Sequence, residues 1–238
     1  MNDWVLFILV ALPLVGGIGL MFVPGQRHTL IREYATGVAA LSCLLSVYTF
    51  LSYDDRAGGF QFINKFEWLP VLGISYSLGV DGISVLMVLL TGIVFIGGVL
   101  VSWNITHRPK DFFVLYLLLV AGVFGVFVSQ DLFFFFFFYE LAVVPMYLLI
   151  GVWGSSSDFH TFLRSKEYGA MKLMLYLVAG SVLVWVGIIA IYVTAGADTF
   201  DIRVLQQAAR SGALDGNFQR IIFPLIMIGF GALAGLWP

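Results

Sequence analysis

Charge is scarce in this chain. Only 11% of its 238 residues are Asp, Glu, Lys or Arg, against about a quarter in an average soluble domain. Cysteine is nearly absent: Cys43 stands alone, which excludes an internal disulfide and any cysteine-held zinc or iron–sulfur site built from this chain by itself. The three histidines, His28, His107 and His160, fall in connecting segments, so no pair faces another inside an apolar stretch to hold a haem. There is no basic tract and the net charge is −2, which argues against nucleic acid as a partner. Phosphate loops, dinucleotide fingerprints and Ser/His/Asp sets are missing too. The chain shows no redox or nucleotide-binding machinery, and no cofactor is expected in it. Asp3 stands where a signal peptide would carry basic residues, and no A-x-A cleavage site follows, so the first apolar stretch reads as a retained helix.

What remains is 61% hydrophobic, with a mean hydropathy of +0.99. Apolar runs long enough to cross a bilayer predict an all-α, polytopic transmembrane bundle of seven helices. They are expected over 3–23, 31–52, 81–103, 111–129, 131–153, 167–194 and 219–238, as one membrane domain in contact with lipid. Pro24-Gly25, the stretch from Asn104 to Pro109, and Gly154 to Asp158 separate neighbouring spans.

The loops orient the bundle. Arg27, Arg32, Arg108, Lys110, Arg164 and Lys166 lie in the short odd-numbered loops, while Arg56, Lys65, Arg203, Arg210 and Arg220 lie in longer even-numbered ones. Short loops weigh most in the positive-inside rule, so the N-terminus is expected outside and the odd loops in the cytoplasm. In the long loop 53–80, apolar residues alternate at Phe60 and Phe62 and again at Ile74, Tyr76 and Leu78, the pattern of a small outer-face hairpin. Within 201–211, Ile202, Leu205 and Ala209 share one helical face with Arg203 and Arg210 off it. This is either a helix lying at the membrane interface or an ordinary loop helix.

Glu140 is the residue that points to function. It lies near the middle of DLFFFFFFYELAVVPMYLLIGVW, where an ionised carboxylate costs about 2.5–3.5 kcal/mol on insertion scales. Such a group is usually aimed at a protein interior or a wet path, and proton or ion handling is the usual reason. The structural alternative is a protonated Glu hydrogen-bonded to a neighbouring helix. Phe133–Phe138 surrounds it with low dielectric, and by itself that run reads as lipid-facing packing. Pro145 has no N–H to give the Leu141 carbonyl, so it marks either a kinked, wet spot beside the acid or simple packing. Lys172, about one and a half turns into its helix, either snorkels to the interface or turns inward to pair with an acid. Asp81, opening the GVDGIS segment, is either a supporting charge or a helix cap. Gly92, Gly97, Gly98 and the Gly231-x-x-x-Gly235 spacing suggest close helix contacts.

These residues carry a resemblance. The runs DLFFFFFFYELAVVPMYLLIGVWG, SLGVDGISVLMVLLTG and YGAMKLMLYLVAGS closely resemble the M-type, antiporter-like membrane subunit of proton-pumping NADH:quinone oxidoreductase, respiratory complex I. The resemblance runs along essentially the whole chain. It implies an antiporter-like inverted-repeat fold, of which the chain, ending at GFGALAGLWP, is the N-terminal half. It implies that Glu140 is the pumping glutamate and that Lys172 is the family's sixth-helix lysine. Flavin mononucleotide, iron–sulfur clusters and quinone are then expected in partner subunits. The expected partners are other antiporter-like and small membrane-arm subunits. The absence of a targeting segment tilts the expected location to a bacterial inner membrane. One position departs: the family's seventh-helix lysine is Leu233 here. A sodium/proton antiporter or membrane-bound hydrogenase subunit is the alternative in transport, and a structural subunit without an ion path is the alternative outside it.

Overall fold

The computed structural model describes residues 4–159 and 162–236; Asp3, His160, Trp237 and Pro238 lie outside the described residues. The elements in chain order are α1 (Val5–Met21), α2 (His28–Leu51), β1 (Gln61–Leu69), β2 (Ile74–Val80), α3 (Ser84–Val101), α4 (Pro109–Val128), α5 (Leu132–Trp153), β3 (Ser157–Phe159), β4 (Phe162–Arg164), α6 (Lys166–Ala195), α7 (Ile202–Arg210) and α8 (Gly216–Leu233). α2, α3, α4, α5, α6 and α8 are each long and apolar enough to cross a membrane, and α1, at 17 residues, is a shorter apolar helix.

Helix ends follow capping chemistry more closely than hydropathy. α8 begins at Gly216 instead of 219 because the Asp215 carboxylate accepts the Phe218 N–H at 2.7 Å. It stops at Leu233 instead of 238. Gly235 takes a φ of 69°, the Leu236 N–H reaches back to the Gly231 carbonyl at 2.9 Å, and the Gly235 N–H reaches that of Ala232 at 3.2 Å. That is a Schellman ending, which needs a left-handed residue. The Gly231–Gly235 pair therefore terminates a helix and does not join two.

The first four helices pack as a group, α1 on α2 and α4, and α2 on α3. Leu6, Leu9, Phe95, Phe113 and Phe124 form its buried centre. α5 lies against α4, α6 against α5, and α8 against α6. The α4–α5 seam is tight because Gly122 and Gly125 bring the backbones together. A Cβ at Gly125 would collide with the Phe138 ring, and one at Gly122 would sit 2.8 Å from the Phe138 carbonyl oxygen. The α6–α8 seam works the same way through Gly180 and Gly229, where a Cβ on either would lie 3.0 Å from the other's carbonyl oxygen. Of the glycines expected at contacts, Gly92 faces Ser46 and Gly98 faces Tyr116, whereas Gly97 has open space beside it.

At one end of the bundle β1 and β2 form the expected antiparallel hairpin. Phe60 precedes the strand, and Phe62 sits at an irregularity of the ladder with a φ of 56°. β2 does not alternate between buried and exposed as expected; nearly every residue of it is buried, because α1, α4 and α5 all touch it. At the opposite end the basic residues close helix C-termini. Lys110 Nζ donates to the Met21 carbonyl at 2.6 Å and Lys166 Nζ to that of Val152 at 2.7 Å. The helix expected over 201–211 is α7, with Leu205 buried.

Candidate functional site

Asp131 begins α5 with its carboxylate accepting the N–H groups of Phe133 at 2.9 Å and Phe134 at 3.3 Å. From there the helix carries Glu140 inward by nine residues, about 13 Å at 1.5 Å per residue. Glu140 is half-buried, and its Oε1 atom is buried with no hydrogen-bond partner among the described residues. The hydroxyl of Tyr139 beside it is in the same condition. Two adjacent unsatisfied oxygens in an apolar helix are costly unless water or another group reaches them.

Glu140 faces α6. One turn before it, Phe136 stacks on Trp185 of α6 with centroids 4.7 Å apart, and Phe133 meets the same indole at 6.0 Å. Ser181 stands one turn from Trp185, so its register places it on that side of α6 at the depth of Glu140. It is buried, and its hydroxyl donates to the Val178 carbonyl at 3.1 Å. Sequence reasoning passed over Ser181, because a serine among small residues gives no signal until its partner helix is known. Leu233, where the resemblance implies a lysine, packs against Gly180, with its Cδ2 2.8 Å from where a Cβ would be.

The structure does not bring Lys172 to Glu140. Gly151 of α5 meets Ala170 of α6, which levels the two helices there. Glu140 lies eleven residues in from Gly151 and Lys172 two from Ala170, so their depths differ by about 13 Å. Their directions differ as well. The α5-facing side of α6 is marked by buried Ala170, against Gly151, and by Trp185. At 3.6 residues per turn Lys172 lies about 140–160° around the helix from both. Its ammonium stands 5.7 Å from the Tyr176 ring centroid, in an open groove on the far side.

Pro145 is buried inside α5 on the side of the α4 seam. Asp81 lies three residues before α3. Its carboxylate accepts the Ser84 N–H at 2.8 Å, and the Ser84 hydroxyl accepts the Asp81 N–H at 2.8 Å. That reciprocal pair is a capping box in form. Burial raises the Asp81 pKa, but the hydrogen bonds from Ser84 and Ile83 outweigh it and hold the carboxyl below its usual range.

The phenylalanine run faces protein more than lipid. Phe134 meets Tyr76 at 5.0 Å, Phe135 meets Phe230 at 6.2 Å, and within the run Phe137 alone is strongly exposed. Burial in this cluster pushes the Tyr76 hydroxyl up to about 12. Above it lies a clasp that sequence reading missed. Asp131 and Asp201, both buried, meet across an antiparallel bridge. Ser75 donates to Asp131 Oδ2 through its N–H at 3.0 Å, the Ile202 N–H donates to Gln130 at 2.9 Å, and the Leu132 N–H donates to Phe200 at 2.9 Å. Arg203 Nη2 and Lys65 Nζ lie 3.1 Å and 3.7 Å from Asp201 Oδ2. Burial dominates at Asp131 and raises its pKa despite four hydrogen bonds to it. At Asp201 burial acts in the same sense, but Arg203 and Lys65 overcome it and lower the value. Among the described residues no group of three or more His, Cys, Asp or Glu could hold a metal.

Residues 129–238 match the protein-family model described as NADH:quinone oxidoreductase/Mrp antiporter, TM. NAD(P)H-quinone oxidoreductase chain 4-2 of Synechocystis is 35% identical over 231 residues, 97% of this chain and 39% of its own length. The chain thus spans about two fifths of the curated relatives it matches. Among solved structures, a subunit of respiratory complex I from Thermus thermophilus aligns with a TM-score of 0.74 and 24% identity, covering 98% of this chain and 43% of that one. A subunit of an archaeal membrane-bound sulfane sulfur reductase aligns with a TM-score of 0.75 and 21% identity, covering 95% and 44%. Both likenesses show the shared fold. This multi-pass membrane chain is therefore similar in sequence to the chain 4 subunits of NAD(P)H-quinone oxidoreductases over about two fifths of their length, and it shares its fold with the antiporter-like subunits of membrane complexes.

Proposed function

We propose that this chain is the ion-handling part of a proton-translocating membrane-arm subunit of a quinone oxidoreductase in a bacterial membrane. Electrons pass from NADH to quinone through partner subunits, which carry the flavin and iron–sulfur groups. Other antiporter-like and small membrane subunits complete the arm. The observation that carries this reading is Glu140, a carboxylate well inside a helix long and apolar enough to cross a membrane, with one oxygen buried and unsatisfied among the described residues. Such a group has two stable states. A cation or a chain of water stabilises the ionised form, and their withdrawal favours the protonated one. Alternation between the two takes a proton from one side and releases it to the other. Pro145 supports this by leaving the Leu141 carbonyl without its helical donor one turn away. Lys172 is the second charge of the relay, but it acts from the far face of α6 and not as the direct partner of Glu140. Asp81 supports the site only through the cap that starts α3.

Glu140→Gln tests the reading, because it keeps shape and removes titration. In membrane vesicles energised by NADH, the variant is expected to assemble and transfer electrons while its proton uptake is lost. Normal proton uptake by that variant rules the proposal out. The matched family also includes antiporter subunits, so a sodium/proton antiporter is the second reading. It predicts sodium-dependent proton exchange without NADH oxidation.

A further inference from the structure

We propose that the groove around Lys172 is a docking face for a transmembrane helix from outside this chain, one that brings a carboxylate to the lysine. The groove holds about 370 Å³ and is lined by Tyr168, Met171, Lys172, Leu175, Tyr176 and Ala179. Met171 and Leu175 are 57% and 65% exposed on it. α5 lies on the other side of α6, and α8 is occupied with Gly180, Val184 and Gly187, so neither covers this face. Among the described residues, no ion pair reaches Lys172.

Charge chooses the occupant. An ammonium inside a span is costly unless it pairs or reaches the interface. Lys172 starts about 9 Å below the end of its helix, and its ammonium stands over Tyr176, one turn deeper, instead of extending back toward the interface. A lysine held at that depth, with an aromatic face on one side and an apolar slot running along the helix, fits an acidic side chain on a helix lying in the slot. An anionic lipid headgroup would hold the ammonium at the interface. The proposal stands on this geometry and is independent of whether Glu140 moves protons.

The test uses the intact complex in its native membrane. Leu175 is replaced by the photoreactive p-benzoylphenylalanine, the sample is irradiated, and the adduct is mapped by mass spectrometry. The expected adduct is a transmembrane peptide with an Asp or Glu within one turn of the attachment point. Lys172→Glu is expected to abolish that adduct, and a Lys placed at the mapped acid is expected to restore it. An adduct to phospholipid alone overturns the proposal. So does a peptide without an acid, or an adduct indifferent to Lys172→Glu. None of these readouts requires proton pumping, so Glu140→Gln fails or succeeds separately.

Discussion

At the scale of single residues, the two clasp aspartates make opposite predictions from nearly the same position. Asp131 is buried with no cation beside it among the described residues, and its pKa is raised. Its folded form holds the proton more tightly than the unfolded chain does. Its contribution to stability is therefore full below the ordinary carboxylate range and is lost as pH rises through the raised value. Asp201 is lowered, first opposed by burial and then overcome by Arg203 and Lys65. Its contribution is full above the ordinary range and is lost as pH falls through the lowered value. Thermal unfolding in detergent across pH checks this. Asp131→Asn should gain relative to the parent as pH rises through the raised value of Asp131, because it removes a charge that burial opposes. Asp201→Asn should lose most at neutral pH, with the loss fading on acidification. Asp131→Ala removes the α5 cap and the acceptor for Ser75 together, and should cost about 1–3 kcal/mol. That would appear as a lower unfolding midpoint than for Asp131→Asn.

At the scale of elements, close approach of helices depends on glycines that only their neighbours identify. Gly125→Val should destabilise the α4–α5 seam by about 1–3 kcal/mol, since its side chain must displace Phe138. Gly97→Val, on the same kind of apolar helix but beside open space, should change the unfolding midpoint little. The pair is checked in one series of thermal melts. Lys166→Met should lose the bond that closes the C-terminus of α5 and cost about 1 kcal/mol. Gly-x-x-x-Gly spacing alone was a poor guide: at Gly231 and Gly235 it marks a helix stop, while Gly180 and Gly229, on different helices, form the real contact. No spacing rule within one helix can report a pair that belongs to two.

At the scale of the whole molecule, purification in gentle detergent with mass spectrometry of the co-purifying chains separates the functional readings. Flavin and iron–sulfur dehydrogenase subunits are expected. A set of small antiporter subunits would transfer the ion path proposed for Glu140 to a different complex. The sequence by itself determined the long apolar helices, the hairpin in loop 53–80, the short helix near 201–210 and the place of Glu140 inside α5, because transfer of apolar side chains from water is local and shows in hydropathy and periodicity. It also determined the likeness to the antiporter-like subunits, through the long motifs of α3, α5 and α6. Tertiary structure alone decided three things. It turned Phe133–Phe138 toward Tyr76, Trp185 and Phe230 instead of lipid. It joined Asp131 to Asp201 across seventy residues of chain. It also put Lys172 on the face of α6 opposite Glu140. The physical reason is the same in each case. Hydropathy says that a helix is buried in something apolar, and lipid and protein are equally apolar. Which of the two a given face meets depends on packing between segments distant in sequence, and it is that packing which sets the distance between the two intramembrane charges.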